Sequence, residues 1–144
     1  MKNNRPSYHI YTDGSCYPNP GGTGGWAFRV IEGEIMSQGF IGKPCTNNLA
    51  ELMAIYKAIQ WVPKNTDLTI LTDSFVCICW LKKREPITPN PRATNILILL
   101  REQIKNKNVF LKWVQVKGHG YDKNNYIVDL AARYAREHPE LLDK

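Results

Sequence analysis

Residues 68–73 read LTILTD, a short and mostly apolar run that ends in Thr72-Asp73 and is followed by Ser74. An earlier run, residues 8–13, reads YHIYTD and also ends in Thr-Asp before a turn-forming residue. Both runs have the composition of β-strands, and the apolar character of the second is typical of a parallel strand covered on both faces. Together they predict two parallel strands joined by a helical crossover.

The segment between these runs supplies the crossover helix. Residues 47–61 lack Pro and Gly, and Leu52, Ile55, Tyr56 and Ile59 recur at the spacing of an amphipathic helix. Ahead of it, residues 26–31 and 35–41 are apolar runs separated by Glu-Gly-Glu, which predicts a hairpin. The glycine-rich residues 14–25 predict a turn between the first two strands.

The remainder of the chain alternates between helix and strand signals. Helical composition covers residues 75–83 and 93–105, an apolar run at 109–116 predicts a further buried strand, and a last amphipathic helix follows. The order βββαβααβα predicts an α/β fold with a five-stranded mixed sheet, in which three antiparallel strands are followed by parallel ones, and with helices on both faces.

Bulk properties limit the possible classes of protein. The 144 residues, 43% of them hydrophobic, are enough for a single domain with its own core, expected at about residues 8–136. A formal net charge of +6 favours a polyanionic partner. No membrane or signal segment is recognised, so we expect a cytoplasmic protein. The four cysteines lack zinc-site spacing, which indicates reduced thiols; they are Cys16, Cys45, Cys77 and Cys79.

Two strand-terminal carboxylates are the first candidates for chemistry. Parallel neighbouring strands lie about 4.8 Å apart, so Asp13 and Asp73 are expected to converge at the carboxyl edge of the sheet. Glu51 falls about 40° from Ile55 on the helical wheel and points toward the same sheet. Mutual repulsion between such carboxylates favours a bound metal, and an oxygen-only donor set favours Mg²⁺ or Mn²⁺ over zinc.

Each of these acids also has a structural alternative. Asp13 and Asp73 could initiate turns through their own side-chain hydrogen bonds. Glu51 could complete a capping box with Asn48, three residues earlier. These alternatives stay open on the pattern alone.

Two residues near the C-terminus are less well supported by periodicity. Asp129 falls roughly 150° from the apolar face that we predict for the last helix, and Arg133 four residues on could pair with it in solvent. That predicted face consists of Ile127, Leu130, Ala131 and Tyr134. His119 lies between two glycines and could be either a proton shuttle or an ordinary exposed loop histidine.

Five ordered motifs in the chain resemble the ribonuclease H type 1 family. They are YTDGS at residues 11–15, NPG at 19–21, TNNLAEL at 46–52, TDS at 72–74 and VKGH at 116–119. The resemblance covers about residues 8–136 and depends on the five motifs jointly. It implies the ribonuclease H-like fold and hydrolysis of the RNA strand of an RNA·DNA hybrid.

The resemblance also implies roles for particular residues. It assigns metal binding to Asp13, Glu51, Asp73 and Asp129, and it matches His119 with the family's loop histidine. The implied mechanism uses two ions, Mg²⁺ with Mn²⁺ as a substitute, and leaves 5′-phosphate and 3′-hydroxyl ends.

Substrate contacts carry over in the same way. By the resemblance, Thr46 and Asn47 hold the phosphate of the DNA strand, Asn19 and Asn48 line the minor groove, and the backbone of Gly14 and Ser15 lies near the scissile strand. Such contacts fix register without reading bases, so little sequence preference is expected. A monomer is expected.

The chain departs from the family pattern in four places. Phe75 follows Asp73-Ser74 where a polar residue is frequent, Tyr126 stands where an acid is common, and the glycine loop is one residue longer. The span between Asp73 and His119 is short and lacks a long basic protrusion. The remaining basic residues there form either a binding patch or a solvated face: Lys82, Lys83, Arg84 and Arg92.

Two other functions are compatible with these motifs. One is a nuclease of the same fold that acts on DNA. The other is a catalytically inactive module that only binds the hybrid.

Overall fold

The computed structural model describes residues 5–82, 90–117 and 122–142. The strands found there are β1 (Ser7–Tyr17), β2 (Thr23–Val30), β3 (Ile35–Ile41), β4 (Asp67–Thr72) and β5 (Phe110–Gln115). The helices are α1 (Asn47–Trp61), α2 (Phe75–Lys82), α3 (Pro91–Lys107) and α4 (Lys123–Arg136), followed by a short 3-10 helix at Pro139–Leu141. Within these described segments, no helix is long and apolar enough to cross a membrane.

The five strands form one mixed sheet in the order β3-β2-β1-β4-β5. β2 pairs antiparallel with both β1 and β3, whereas β4 pairs parallel with both β1 and β5. The predicted element order and the predicted mixed sheet are therefore confirmed. β3 and α1 also have the bounds that the sequence predicts.

Helices cover both faces of the sheet, as predicted. Successive side chains of a strand point to opposite faces, and β1 shows this at two neighbouring residues. Ile10 belongs to the larger core, together with Leu52 of α1 and Leu97 of α3, whereas Tyr11 packs with Val128 of α4 on the opposite face. The sheet therefore separates α1 and α3 from α4.

β1 is longer than the sequence predicts, because residues 14–17 continue the strand instead of forming a turn. They stay paired with β2 as far as Tyr17 opposite Thr23. Antiparallel hydrogen bonds therefore persist beyond Asp13, which lies within the strand and not at its end.

The prediction that the last strand is buried is wrong. β5 is the outer strand on one side of the sheet, and α4 packs over β1, β2 and β3 instead. Phe110 and Val114 consequently remain 43% and 42% exposed. An apolar run predicts a strand, but its burial depends on where the helices lie.

The predicted apolar face of α4 is also wrong in part. Leu130 and Tyr134 are about half exposed, and the helix instead buries Asn125, Val128, Ala131, Ala132 and Ala135. A Cβ at Gly25 of β2 would lie only 2.1 Å from the carbonyl oxygen of Ala132. Since helix and strand approach so closely, small residues occupy their interface and the larger apolar ones face outward.

The N-terminal caps of α1 and α4 exclude a capping box at Glu51 and fix the start of α4. Thr46 caps α1 by accepting from the amide of Leu49, so a capping box between Asn48 and Glu51 does not form. Asp122 caps α4 and also accepts a 2.6 Å hydrogen bond from the hydroxyl of Tyr11. Burial, together with this acceptor, raises the pKa of Tyr11 to about 12. The start of α4 is thus tied to the middle of β1.

Replacing Tyr11 with Phe should lower the free energy of unfolding by about 1–2 kcal/mol, because the half-buried acceptor Asp122 loses the hydroxyl donor. Chemical denaturation measures the change. Tyr126→Phe, an exposed tyrosine on α4, is the matched control and should change stability by less than about 0.5 kcal/mol. Equal effects of the two substitutions would contradict the anchoring role of the Tyr11 hydroxyl.

Candidate active site

Three carboxylates from three different elements converge at one edge of the sheet. Asp13 lies on β1, Glu51 on α1, and Asp73 directly follows β4. One carboxylate oxygen from each lies within 4.8 Å of the other two. Asp13 is buried, and the other two side chains are half-buried. The convergence expected from the sequence is confirmed.

Strand register brings the two aspartates together. β1 and β4 pair in parallel up to Tyr11 opposite Leu71. Asp13 and Asp73 each follow two residues later, so they lie at the same level where this pairing ends. Because the parallel ladder stops there while β1 continues along β2, the edge between β1 and β4 opens beside the two carboxylates.

The absence of a side chain at Gly14 brings Glu51 to this edge. A Cβ at Gly14 would lie 2.2 Å from the carbonyl carbon of Ala50 and 2.2 Å from the amide nitrogen of Glu51. The backbone of α1 therefore touches β1 at this point, one residue from Asp13. The hydroxyl of Ser74 hydrogen-bonds the Glu51 carboxylate and orients it toward the aspartates.

The electrostatics of the cluster favour a bound cation. Burial raises the pKa of Asp13 and of Glu51, and the negative charge of Asp73 is the next cause in both cases. Ionised carboxylates this close are stabilised by a positive charge between them. Oxygen-only donors fit a hard divalent cation, so Asp13, Glu51 and Asp73 are suited to hold Mg²⁺ or Mn²⁺.

Asp129 lies in the same open cavity, of about 340 Å³, but outside the three-carboxylate cluster. Its charge contributes to the raised pKa of Asp13. It also forms the predicted ion pair with Arg133, at 3.3 Å between Nε and Oδ1. The predicted ion pair is therefore confirmed, whereas metal binding by Asp129 stays a prediction, supported by its place beside the same cavity.

The residues expected to contact substrate surround this cavity on the α1 side. Gly14, Ser15 and Asn47 line it directly. The side-chain Oδ1 of Asn47 accepts from the backbone amide of Cys16 at 2.8 Å. The backbone amide of Asn47 donates to Oδ1 of Asn19 at 3.1 Å. Asn19, Asn47 and Asn48 are exposed, and Thr46 adjoins them as the helix cap.

Several predicted residues stand apart from this arrangement. His119, Lys83 and Arg84 lie outside the described residues. Arg92 is not a free member of a basic patch, because its guanidinium donates to the carbonyls of Gly42 and Pro44. Of the four basic residues, Lys82 is exposed on α2.

Two of the departures from the family pattern, Phe75 and Tyr126, lie on the surface. Phe75 at the start of α2 is 60% exposed, and Tyr126 on α4 is 57% exposed. Tyr126 therefore leaves the packing of α4 against the sheet undisturbed.

Sequence reasoning missed two contributors to the cavity. Ser74 orients Glu51, and Arg136 lines the cavity beside Arg133. The signal for Arg136 was present, because residues 129, 133 and 136 follow the i, i+4, i+7 spacing of one helix face. Only Arg133 was paired with Asp129 on that basis.

Comparison with known proteins agrees with this geometry. The family model for RNase H matches residues 5–137. A ribonuclease H of Gluconobacter oxydans (strain 621H) is 32% identical over 146 aligned residues, covering 92% of this chain and 94% of the relative. A ribonuclease HI of Campylobacter jejuni (strain ATCC 700819) is 33% identical over 136 residues, covering 88% of each protein.

Solved structures share the fold. RNase H1 from the halophilic archaeon Halobacterium salinarum NRC-1 has a TM-score of 0.73 at 21% identity, covering 91% of this chain and 98% of that chain. LC11-RNase H1 in complex with an RNA/DNA hybrid has a TM-score of 0.70 at 19% identity, covering 90% of this chain and 96% of that chain. The chain belongs to the ribonuclease H family, hydrolases that cleave the RNA strand of RNA·DNA hybrids.

Gly14→Ala should lower the free energy of unfolding by about 2–4 kcal/mol, because the added methyl group overlaps the α1 backbone and neither element can yield cheaply. Urea unfolding monitored by circular dichroism measures the loss. Gly42→Ala is the matched control, since a Cβ at Gly42 meets nothing within 4 Å. A tolerated Gly14→Ala would show that this close approach does not constrain the fold.

Asp13→Asn should stabilise the metal-free protein, and increasingly so at higher pH. The raised pKa of Asp13 means that the folded protein holds this proton more tightly than the unfolded chain does. That contribution to stability is complete at low pH and is lost as pH rises from the ordinary value of 3.8 to about 8. Asparagine cannot ionise, so its advantage grows across this window.

Thermal unfolding in chelator at pH 5 and pH 8 measures the effect, expected at about 1–3 kcal/mol at pH 8. Glu102→Gln neutralises an exposed carboxylate on α3 and serves as the control, with no pH-dependent gain. A pH-independent difference between Asp13→Asn and the wild type would exclude electrostatic strain at Asp13.

Proposed function

We propose that the chain hydrolyses the RNA strand of RNA·DNA hybrids with two divalent cations, Mg²⁺ or in its place Mn²⁺, held by Asp13, Glu51, Asp73 and Asp129. The convergence of three carboxylate oxygens within 4.8 Å carries this proposal. When bound, such cations activate a water molecule for attack at phosphorus and stabilise the departing 3′-oxygen. The products are 5′-phosphate and 3′-hydroxyl ends.

The four carboxylates have different parts in this proposal. Asp13 is the most buried and supplies a rigid ligand from the interior of β1. Glu51 reaches the cluster from α1, and a side-chain hydrogen bond with Ser74 lowers its pKa against the larger effect of burial. Asp129 is more exposed and is paired with Arg133, and it is proposed to bind a cation from the α4 side of the cavity.

The hybrid is proposed to lie across the cavity and the exposed start of α1. Since Oδ1 of Asn47 is taken by the Cys16 amide, Nδ2 is the group that Asn47 offers to a phosphate of the DNA strand, beside Thr46. Asn19 and Asn48 are proposed to line the minor groove, with the backbone of Gly14 and Ser15 next to the scissile strand. Phosphate and sugar contacts of this kind select the hybrid without reading its sequence.

The proposal includes His119, which lies outside the described residues and is supported by the resemblance of its motif. A histidine imidazole can carry a proton between the site and solvent at neutral pH. The whole chain is proposed to form one domain and to act as a monomer. Its four cysteines are free thiols, which supports placing it in the reducing cytoplasm.

One assay tests the proposed function. The protein is incubated with end-labelled RNA·DNA hybrid, double-stranded DNA and double-stranded RNA, each with Mg²⁺, with Mn²⁺ and with chelator. Metal-dependent cutting confined to the RNA of the hybrid is the expected result. Cutting of double-stranded DNA would identify a DNA-directed nuclease, and tight hybrid binding without any cutting would identify an inactive binding module.

Asp13→Asn should lower the cleavage rate by a factor of at least about 10³, because this carboxylate is proposed to bind metal. Hybrid affinity should stay within about threefold of the wild type, because the carboxylate is not proposed to contact the hybrid or to support the fold. Fluorescence anisotropy in chelator measures the affinity. Glu102→Gln is again the control and should cleave normally. Retained cleavage by Asp13→Asn would refute the assigned role.

A further inference from the structure

Arg136 occupies a defined position beside the carboxylates that the proposed mechanism does not use. Its Nη1 donates to the hydroxyl of Ser15 at 2.6 Å, and its guanidinium lies 5.3 Å from the centroid of the Tyr17 ring. Its carbonyl accepts from Thr23 at 2.7 Å. Both ends of the residue are therefore fixed.

The close packing of α4 on β2 makes this position possible. A Cβ at Gly25 would lie 2.5 Å from the amide nitrogen of Arg136, so the last turn of the helix touches the strand. From there the side chain of Arg136 reaches across to β1, the strand next to β2. The arginine is held by the core of the fold and not by a loop.

The row of β1 residues that Arg136 contacts begins at Asp13. Alternate residues of a strand share a face, so Asp13, Ser15 and Tyr17 form one row with successive members roughly 7 Å apart. A guanidinium at Ser15 thus lies about one such step from Asp13. A nucleic-acid strand with its scissile phosphate at Asp13 would carry a neighbouring phosphate into this region.

Arg136 forms no ion pair with a carboxylate in the part of the chain that the structure describes. Arg133, by contrast, pairs with Asp129. Its Nε is buried and has no hydrogen-bond partner there. The planar guanidinium presents donors that match phosphate oxygens, and the contact with Tyr17 holds it beside that ring.

We propose that Arg136 binds a phosphate of the RNA strand adjacent to the scissile one and so positions that strand over the carboxylates. This inference rests on the proposed function, because it assumes that the hybrid is cleaved at Asp13. Arg136 is thus a substrate-binding residue, which contacts the RNA strand directly and contributes to affinity.

The test combines a charge-matched variant set with a chemically altered substrate. Arg136→Gln removes the charge and the fork, Arg136→Lys keeps the charge alone, and Lys112→Gln removes one charge from the exposed strand β5, remote from the cavity. Affinity is measured in the Asp13→Asn background, where substrate is not consumed, and kcat and KM in the otherwise wild-type protein.

Arg136→Gln should raise Kd and KM about tenfold at 0.1 M salt while kcat stays within about twofold, because one charge-assisted contact made equally in ground and transition states is lost. The slope of log Kd against log salt should fall by about one. Arg136→Lys should recover part of the affinity, and Lys112→Gln should change Kd by less than about twofold.

Hybrids with a single neutral methylphosphonate at each successive phosphate locate the contact. At one RNA-strand position next to the cleavage site, the methylphosphonate should weaken hybrid binding by the Asp13→Asn protein about tenfold. It should not weaken binding by the protein that also carries Arg136→Gln. The assignment would be overturned if every methylphosphonate weakened binding equally with and without Arg136→Gln. It would also be overturned if the position whose effect Arg136→Gln removes lay on the DNA strand.

Two further outcomes separate the possible failures. If the wild type cleaves hybrids and Arg136→Gln matches it in KM and salt slope, this inference alone fails. If the wild type cleaves no hybrid, the proposed function fails and this inference with it. A third outcome is that Arg136→Gln binds the hybrid more weakly, its thermal midpoint falls by several degrees, and no methylphosphonate position reproduces the loss of affinity. That result would show a purely structural role and would also overturn the proposal.

Discussion

The contact between the backbones of α1 and β1 at Gly14 is the constraint on which the active site depends. At this point the carbonyl carbon of Ala50 occupies space that any side chain would fill. The contact sets the distance between helix and strand, and that distance decides whether Glu51 reaches Asp13. A second close approach, at Gly25, sets α4 against β2 and brings Asp129 to the same cavity from the other face of the sheet. Two helices on opposite faces thus bring carboxylates to one edge.

This architecture gathers like charges at a cost to the stability of the metal-free protein. Burial and mutual repulsion raise the pKa of both Asp13 and Glu51, so the folded chain favours their neutral forms. The remainder of the fold must therefore supply stability that the site removes. The larger core beneath α1 and α3 does so, with Ile10, Leu52 and Leu97 all fully buried. A cation bound between the carboxylates reverses the sign of their contribution, which couples metal binding to stability and to pH.

The sequence predicted the element order and the three-carboxylate cluster because both follow from local patterns. β3 follows from an apolar run beside a Glu-Gly-Glu turn and α1 from its helical periodicity, and the repeated Thr-Asp pairs lie at the same level of β1 and β4. The exposure of β5 and the buried face of α4 depend on how the helices pack on the sheet, and periodicity does not determine that packing. An apolar edge strand such as β5 has the same composition as a central one. On α4, the large apolar side chains of Leu130 and Tyr134 suggested the wrong face, because the packing distance at Gly25 admits only small residues. The helical spacing places Arg136 on the face of Asp129, but its contact with Ser15, 121 positions away in the chain, does not follow from any local pattern.

The central claim is that Asp13, Glu51, Asp73 and Asp129 act together as a divalent-metal site, and manganese binding tests it most directly. Electron paramagnetic resonance counts free and bound Mn²⁺ in titrations of the wild type, Asp13→Asn, Asp129→Asn and Glu102→Gln, each with an uncleavable hybrid. We expect two bound ions per chain for the wild type and Glu102→Gln, and weaker or incomplete occupancy for both aspartate variants, with the larger loss at Asp13. Unchanged manganese binding in Asp13→Asn would contradict the account.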